Sequence, residues 1–329
     1  MAEQKETLRV DSLSTSFHTE RGLLKAVDGV SFTVGKGEIL GLVGESGCGK
    51  SVTSQSILRL YDEKYTAHYE GHIYLDGVDL LALSPAEMRK IRGSRISMIF
   101  QDALSSLNPV FTVGSQICEP LMIHQGLNRK QAMEKAVELL RLVNIPAPER
   151  RVLQYPHELS GGMRQRVMIA IALACKPELL IADEPTTALD VTVQAQIMDL
   201  IRELNQKLGM SVMLITHDLG VVAETCDRVA VMYLGQIVEQ ADKYAIFDDP
   251  RHPYTWGLIH SIPQLDGDRT KPLYSVEGMV PLLSQVPQGC CRFAERCPKA
   301  TAHCREAMPE LQEVTPGHWV RCWMGTGEE

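Results

Sequence analysis

The stretch LSGGMRQR, Leu159 to Arg166, decides how this chain is read. It lies between a glycine-rich loop, GESGCGKS from Gly44 to Ser51, and an acidic strand end, LLIADEP from Leu179 to Pro185. Ser160 is placed as a helix N-cap, Gly161 and Gly162 follow it, and Met163 to Cys175 reads as the helix behind. A serine and free backbone amides at a helix N-terminus make an anion site. In isolation a Ser-Gly-Gly is more often plain capping, so its meaning comes from the two flanking motifs.

The upstream loop, Gly44-x4-Gly49-Lys50-Ser51, has the full form of a Walker A phosphate loop. Glycines let backbone N–H groups turn inward around phosphates, and the following helix adds its dipole. Gly44, Glu45, Ser46, Gly47, Cys48, Gly49, Lys50, Ser51 and Val52 are therefore the candidate ATP-binding run, with Cys48 incidental to it. Lys50 is expected to reach the β- and γ-phosphates and the Ser51 hydroxyl to ligate Mg²⁺. Downstream, Asp183 is expected to hold Mg²⁺ through water and Glu184 to orient the attacking water. Phosphoryl transfer needs mostly positioning and charge stabilisation, which is what such a pair supplies. Alone, DE-Pro could be a capping turn; with Walker A upstream the chemical reading is the better one.

The surrounding pattern places these motifs on an α/β frame. Residues 8–43 alternate apolar and polar positions around a turn at Arg21-Gly22, as strands and hairpins do. Glu38 to Val43 reads as a buried strand feeding the loop, Ser51 to Leu60 as a helix, and Gly71 to Leu80 as another strand and turn. Helical patterns dominate from Ser105 to Glu158, notably Arg129 to Val143. Strand signals return at 179–182, 211–216 and 229–234, with a helix from Val193 to Lys207 between the first two. Strand–helix repetition argues for a largely parallel sheet covered by helices. After Pro250 proline, glycine and cysteine become frequent, so a separate C-terminal region is expected from 251 to 329.

The order of motifs resembles the ATP-binding subunits of ABC transporters. That resemblance implies a P-loop ATPase core of mixed or parallel sheet with helices, an antiparallel β subdomain, and a helical subdomain at about 103–165. The cassette is expected to span 1–250, with a small Cys-rich extension beyond it. It also implies roles. LSGG resembles the signature that binds the γ-phosphate held by the opposite subunit, through Ser160, Gly161, Gly162 and Gln165. Gln101, in MIFQDALSSLNP, looks like the Q-loop glutamine near Mg²⁺ and the attacking water. Thr187-Ala188-Leu189-Asp190 resembles the D-loop, with Asp190 crossing the dimer interface. His217, in LITHD, resembles the switch histidine on the γ-phosphate, and Phe17 the aromatic that stacks on adenine. Each element occurs once, so a second ATPase subunit, a copy or a paralogue, is implied.

SSLNPVFTVGSQI (Ser105–Ile117), RHPYTWGLIHSIP (Arg251–Pro263) and the cysteine tail resemble the oligopeptide and dipeptide importers in particular. This implies two transmembrane permease subunits, an external or periplasmic substrate-binding protein, and a place on the cytoplasmic face of the cell's inner membrane. Nickel, metal–chelate or oligosaccharide cargo is the alternative within the group. A soluble ABC protein of translation or DNA repair is the alternative outside it; such proteins usually carry two cassettes or a long coiled coil. Matching the group's tail pattern residue by residue gives Cys291, Cys297, Cys304 and Cys322 as ligands, with Cys290 a rival for the first place. The spacing C-x5-C-x6-C-x17-C suits a [4Fe–4S] cluster. Structural zinc, which prefers tighter pairs, and free or disulfide-prone thiols remain the other readings. No phosphate-loop or signature element lies in this region, so the cluster is expected far from the ATP site.

Bulk properties agree with this. The chain has 329 residues, 44% hydrophobic and 22% charged, with a net charge of −8 that argues against a nucleic-acid partner. The longest apolar run, Val167 to Cys175, is about half what a bilayer span needs. The polar start MAEQKETLRVDSLS lacks the apolar core of a signal peptide.

Overall fold

The computed structural model describes residues 5–20, 22–64, 66–101, 106–187, 189–263, 274–287 and 289–324. Arg21 of the expected first turn, Ser105 at the start of the expected helical region, the 103–105 start of the helical subdomain and Ala188 of the D-loop lie outside the described residues. The strands are β1 (Glu6–Thr19), β2 (Gly22–Gly35), β3 (Ile39–Val43), β4 (Ala67–Leu75), β5 (Val78–Asp79) and β6 (Ile96–Ile99). They continue with β7 (Leu179–Asp183), β8 (Ser211–Thr216), β9 (Arg228–Tyr233), β10 (Gln236–Asp242), β11 (Gln312–Thr315) and β12 (His318–Val320). The chain divides into two compact units. One comprises Met1–Leu8, Val34–Ile39 and Leu75–Ile215; the other comprises Arg9–Thr33, Leu40–Tyr74 and Thr216–Glu329.

In the first unit β8, β7 and β6 lie side by side and parallel, with Leu179 opposite both Ser211 and Ile96. Every residue of β7 and β8 is buried, which explains their unbroken apolar sequences: parallel strands are covered on both faces. The helix Gly161–Leu173 buries Val167, Ile169, Ala170 and Leu173. The helix Val191–Leu208 runs two residues further back than its apolar pattern suggests, because Asp190 caps it by accepting from the Val193 N–H at 3.0 Å. The helical region holds Val113–Gln125 and Arg129–Leu142, started by Thr112 and by an Asn128–Gln131 capping box.

In the second unit β1 and β2, separated by two residues, form an antiparallel hairpin. β4 lies on the far side of β1. The unit's other strands lie side by side in the order β11-β12-β10-β9-β3. β3 and β9 are parallel; β9, β10, β12 and β11 follow one another antiparallel. The sequence pattern ends the strands at residue 234 and loosens after 250. The structure instead continues the sheet with β10 and then with two strands from the C-terminal region, Gln240 pairing with Trp319 and Glu239 with Val320. Their signal was weak because both late strands are short and carry polar residues on one face.

The tail is also anchored by an aromatic cluster. Phe293, 2% exposed, packs with ring centroids 5.2 Å from Tyr233, 5.3 Å from Tyr254 and 5.7 Å from His252. Tyr233 ends β9 and Tyr254 begins the helix Pro253–His260. Replacing Phe293 by alanine is therefore expected to cost about 3–5 kcal/mol in the unit that holds it. The measurement is the urea midpoint for that unit; a loss under about 0.5 kcal/mol, the range of surface substitutions, would show that the cluster is not a core.

Candidate functional site

The phosphate loop joins β3 to the helix Lys50–Ile57. Gly44 leaves the strand at φ +151°, and a Cβ there would stand 2.2 Å from the Met232 carbonyl oxygen and 2.8 Å from the Cys48 sulfur. Only glycine allows that approach. Cys48 is 1% exposed, and burial raises its thiol pKa while nearby Lys50 works the other way. It is a packing residue beneath the loop. The helix N-cap is Gly49, in a left-handed conformation and with no side-chain cap hydrogen bond. Lys50, 5% exposed, crosses the loop and donates to the Gly44 carbonyl at 2.7 Å and the Glu45 carbonyl at 3.0 Å.

Glu45 is held from outside the loop as well. Its N–H donates to the Tyr254 hydroxyl at 2.9 Å. Its carboxylate accepts two hydrogen bonds from Arg296, at 2.6 and 3.0 Å. Tyr254 is aimed by His252, whose Nδ1 accepts from the Tyr254 N–H at 3.0 Å as the helix cap. Burial brings the His252 pKa down to about 4, against an opposing pull from Glu239, so the ring stays neutral and keeps that lone pair. Glu239, fully buried, accepts in turn from the N–H groups of Arg251 and His252 and from the His318 ring at 2.7 Å. Arg296, next to Cys297, thus reaches the phosphate loop itself, a contact between tail and loop that the sequence motifs did not announce.

His217 follows β8 and, with Gly44, Glu45, Asp218, Leu258 and Pro263 among others, lines a cavity of about 340 Å³. Asp218 caps the helix Leu219–Thr225 that begins beside His217. Phe17, near the end of β1, packs edge-on against Tyr61 at 4.8 Å.

The other unit carries the acidic strand end. Asp183 is 3% exposed at the end of β7. Glu184 turns to φ +46°, a conformation that costs a non-glycine residue about 1 kcal/mol or more. Its carboxylate accepts from the Gln101 amide at 2.8 Å and from the Thr187 hydroxyl at 3.0 Å. Two residues identified separately in the sequence, Gln101 and Glu184, are thus in direct contact. Ser160 is exposed and caps its helix by accepting from the Met163 N–H at 3.4 Å. A Cβ on Gly162 would lie 2.8 Å from a methyl of Val193, so only a glycine lets the signature helix start against the helix that Asp190 caps. Gly161 and Gly162 are partly exposed, whereas Gln165 is 3% exposed and faces inward.

Cys291, Cys297, Cys304 and Cys322 all line one small cavity, together with Phe293, Pro309 and Trp323. Burial pushes the Cys291 thiol up to about 12, with the other three thiols adding to the shift; burial also raises Cys297. Cys290 turns elsewhere, donating to the Pro287 carbonyl at 3.3 Å. Among the described residues no three His, Cys, Asp or Glu side chains converge closely enough to grip one metal ion. The thiols share a cavity but do not form a closed coordination shell.

A strand–loop–helix cradle for phosphate, a buried aspartate at the end of another strand, and a serine-capped glycine pair are the parts of an ATP-hydrolysing cassette. Residues 27–187 match the family described as ABC transporter, and residues 238–304 match the oligopeptide/dipeptide transporter C-terminal region. The chain is 56% identical over 316 residues to a probable peptide ABC transporter ATP-binding protein, y4tR, of Sinorhizobium fredii, covering 96% of this chain and 94% of that one. It is 51% identical over 317 residues to the oligopeptide transport ATP-binding protein AppD of Bacillus subtilis, covering 96% of each. The dimeric cassette MJ0796 bound to ADP and Pi is similar in structure, with a TM-score of 0.64 at 28% identity, over 72% of this chain and 98% of that one. This chain is an ATPase of the ABC type and belongs to the ATP-binding subunits of the oligopeptide/dipeptide transporter branch of that family. No described helix is long and apolar enough to cross a membrane.

Proposed function

We propose that this ATPase powers import of di- and oligopeptides, docked on the cytoplasmic face of the membrane against two permease subunits that receive cargo from an external substrate-binding protein. The observation that carries this reading is the match of residues 238–304 to the peptide-transporter C-terminal region, within near-full-length identity to peptide-transport relatives. In the proposed layout residues 1–250 are the cassette, with a helical subdomain at about 103–165, and 251–329 the extension.

In the working cycle two cassettes close on ATP and hydrolysis reopens them. Lys50 would bind the β- and γ-phosphates, supported by the amides of Gly44–Val52, while Phe17 packs on adenine. Ser51, Asp183 and Gln101 are the oxygen donors suited to Mg²⁺, which would neutralise phosphate charge when bound. Glu184 orients the attacking water, and its contacts with Gln101 and Thr187 fix the carboxylate for that task. His217 contacts the γ-phosphate from the cavity it shares with Gly44. Ser160, Gly161, Gly162 and Asp190 face the nucleotide of the opposite cassette, with Gln165 packed behind them. A [4Fe–4S] cluster held by Cys291, Cys297, Cys304 and Cys322 would cross-link the tail. That all four thiols line one cavity supports it, although they must draw together to hold it.

Three outcomes are expected. In the complex reconstituted with its permeases and binding protein, a panel of short peptides should stimulate ATP hydrolysis. Stimulation by nickel chelates or oligosaccharides alone would overturn the cargo assignment. Glu184→Gln should bind ATP and accumulate the closed dimer while turnover falls by about 10²–10⁴-fold; near-normal turnover would remove Glu184 from its role. Protein purified without oxygen should be brown and contain iron and acid-labile sulfide. Cys304→Ser should lose the colour and make the tail protease-sensitive, and Cys290→Ser should do neither. Stoichiometric zinc without labile sulfide would replace the cluster by the other metal.

A further inference from the structure

Every polar group of Glu45, in the phosphate loop, is engaged. Its N–H goes to Tyr254, its carbonyl accepts from Lys50 at 3.0 Å and from the Cys48 N–H at 3.3 Å, and its carboxylate is forked by Arg296. The Arg296 side chain is 5% exposed and the Glu45 side chain 28% exposed, so the pair is well shielded. Bidentate guanidinium–carboxylate pairs are geometrically specific in a way a lysine cannot copy. Arg296 is itself fixed by donating to the Glu277 carbonyl at 3.0 Å, and its guanidinium stands 5.8 Å from the Tyr233 ring centre. Arg296 and its neighbour Phe293 belong to one turn-rich segment, so the aromatic cluster that anchors the segment also places the guanidinium.

A glycine-rich loop is costly to order, since glycine loses the most backbone freedom. If that ordering is completed before ATP arrives, affinity rises by the cost avoided. We propose that Arg296 is a positioning residue for ATP binding: together with Tyr254 it latches Glu45 and holds the phosphate loop in its phosphate-receiving shape. The C-terminal extension thereby acts on nucleotide affinity, a contribution separate from cargo or permease contacts. The proposal rests on Gly44–Val52 being the ATP-binding loop, and the test is built to separate the two.

The experiment is equilibrium titration of the full-length chain with Mg·ATP, paired with steady-state KM and kcat. Lys50→Ala should abolish binding; if it does not, the loop assignment fails rather than the latch. Arg296→Gln and Glu45→Gln should each weaken ATP binding about tenfold, equivalent to about 1.4 kcal/mol. The effect should appear in KM, with kcat at saturating ATP within about twofold. The double variant should be no worse than either single one, because both break the same contact. Arg296→Lys should recover only part of the affinity. Arg292→Gln is the control for general loosening: Arg292 ties the same segment to Asp28 and to the Leu234 carbonyl but does not touch the loop. It should leave ATP affinity unchanged. Wild-type affinity in folded Arg296→Gln or Glu45→Gln overturns the latch. So does additivity in the double variant, or an equal loss in Arg292→Gln. If Arg296→Gln does not fold, Glu45→Gln and Arg296→Lys decide the matter alone.

Discussion

A buried ammonium organises this cassette. Lys50 sits 5% exposed at the start of a helix, where the dipole already disfavours positive charge. A charge so placed must be paired with oxygen. The loop supplies the oxygens by bending the Gly44 and Glu45 carbonyls toward it. That bend is possible only because residue 44 has no side chain to strike the Met232 carbonyl. The site thus holds one fixed cation at a helix N-terminus, a setting that suits a polyanion. The buried strands β3 and β9 exist, in this sense, to hold a small glycine-rich loop against a lysine.

The same logic runs outward through the tail. Fully buried Glu239 orders two backbone amides, one of which is that of His252; neutral His252 caps a helix, and that helix presents Tyr254 to Glu45. Each step satisfies a polar group that burial would otherwise leave unpaired. The C-terminal region is therefore not an appendage in physical terms. It supplies two strands to the sheet of its unit, an aromatic ring to its core and a guanidinium to its loop.

Much of this was legible from residues alone. Walker A, the acidic strand end and the capped glycine pair are read from local chemistry, and local chemistry is what positions them. The strands at 179–183 and 211–216 were legible because parallel strands buried on both faces leave long apolar runs. Other features were not. Tyr254 lay inside a segment marked only by its resemblance, and Arg296 was passed over as a spacer between cysteines. Both act through contacts to Glu45, 209 and 251 positions away, and no periodicity encodes such a distance. The nearest signal was compositional: an arginine among cysteines, phenylalanine and alanine, with no run of like charge to suggest a solvated face. β10 was missed because its Glu239 and Gln240 look like surface residues, whereas both are buried.

The pairing of β12 with β10 also has a consequence for how the chain is made. β10 is buried along Gln236–Ala241, and its outer edge is completed only by His318–Val320. A ribosome delivers β10 well before β12. During that interval a strand edge with unsatisfied amides stands open, which is the condition for pairing with a neighbouring nascent chain. The finished sheet closes this exposure with a short outermost strand, Gln312–Thr315, whose glutamate and polar neighbours make a poor template. Damage or truncation in the last stretch of the chain would therefore be felt first as loss of solubility during synthesis, before any question of turnover arises.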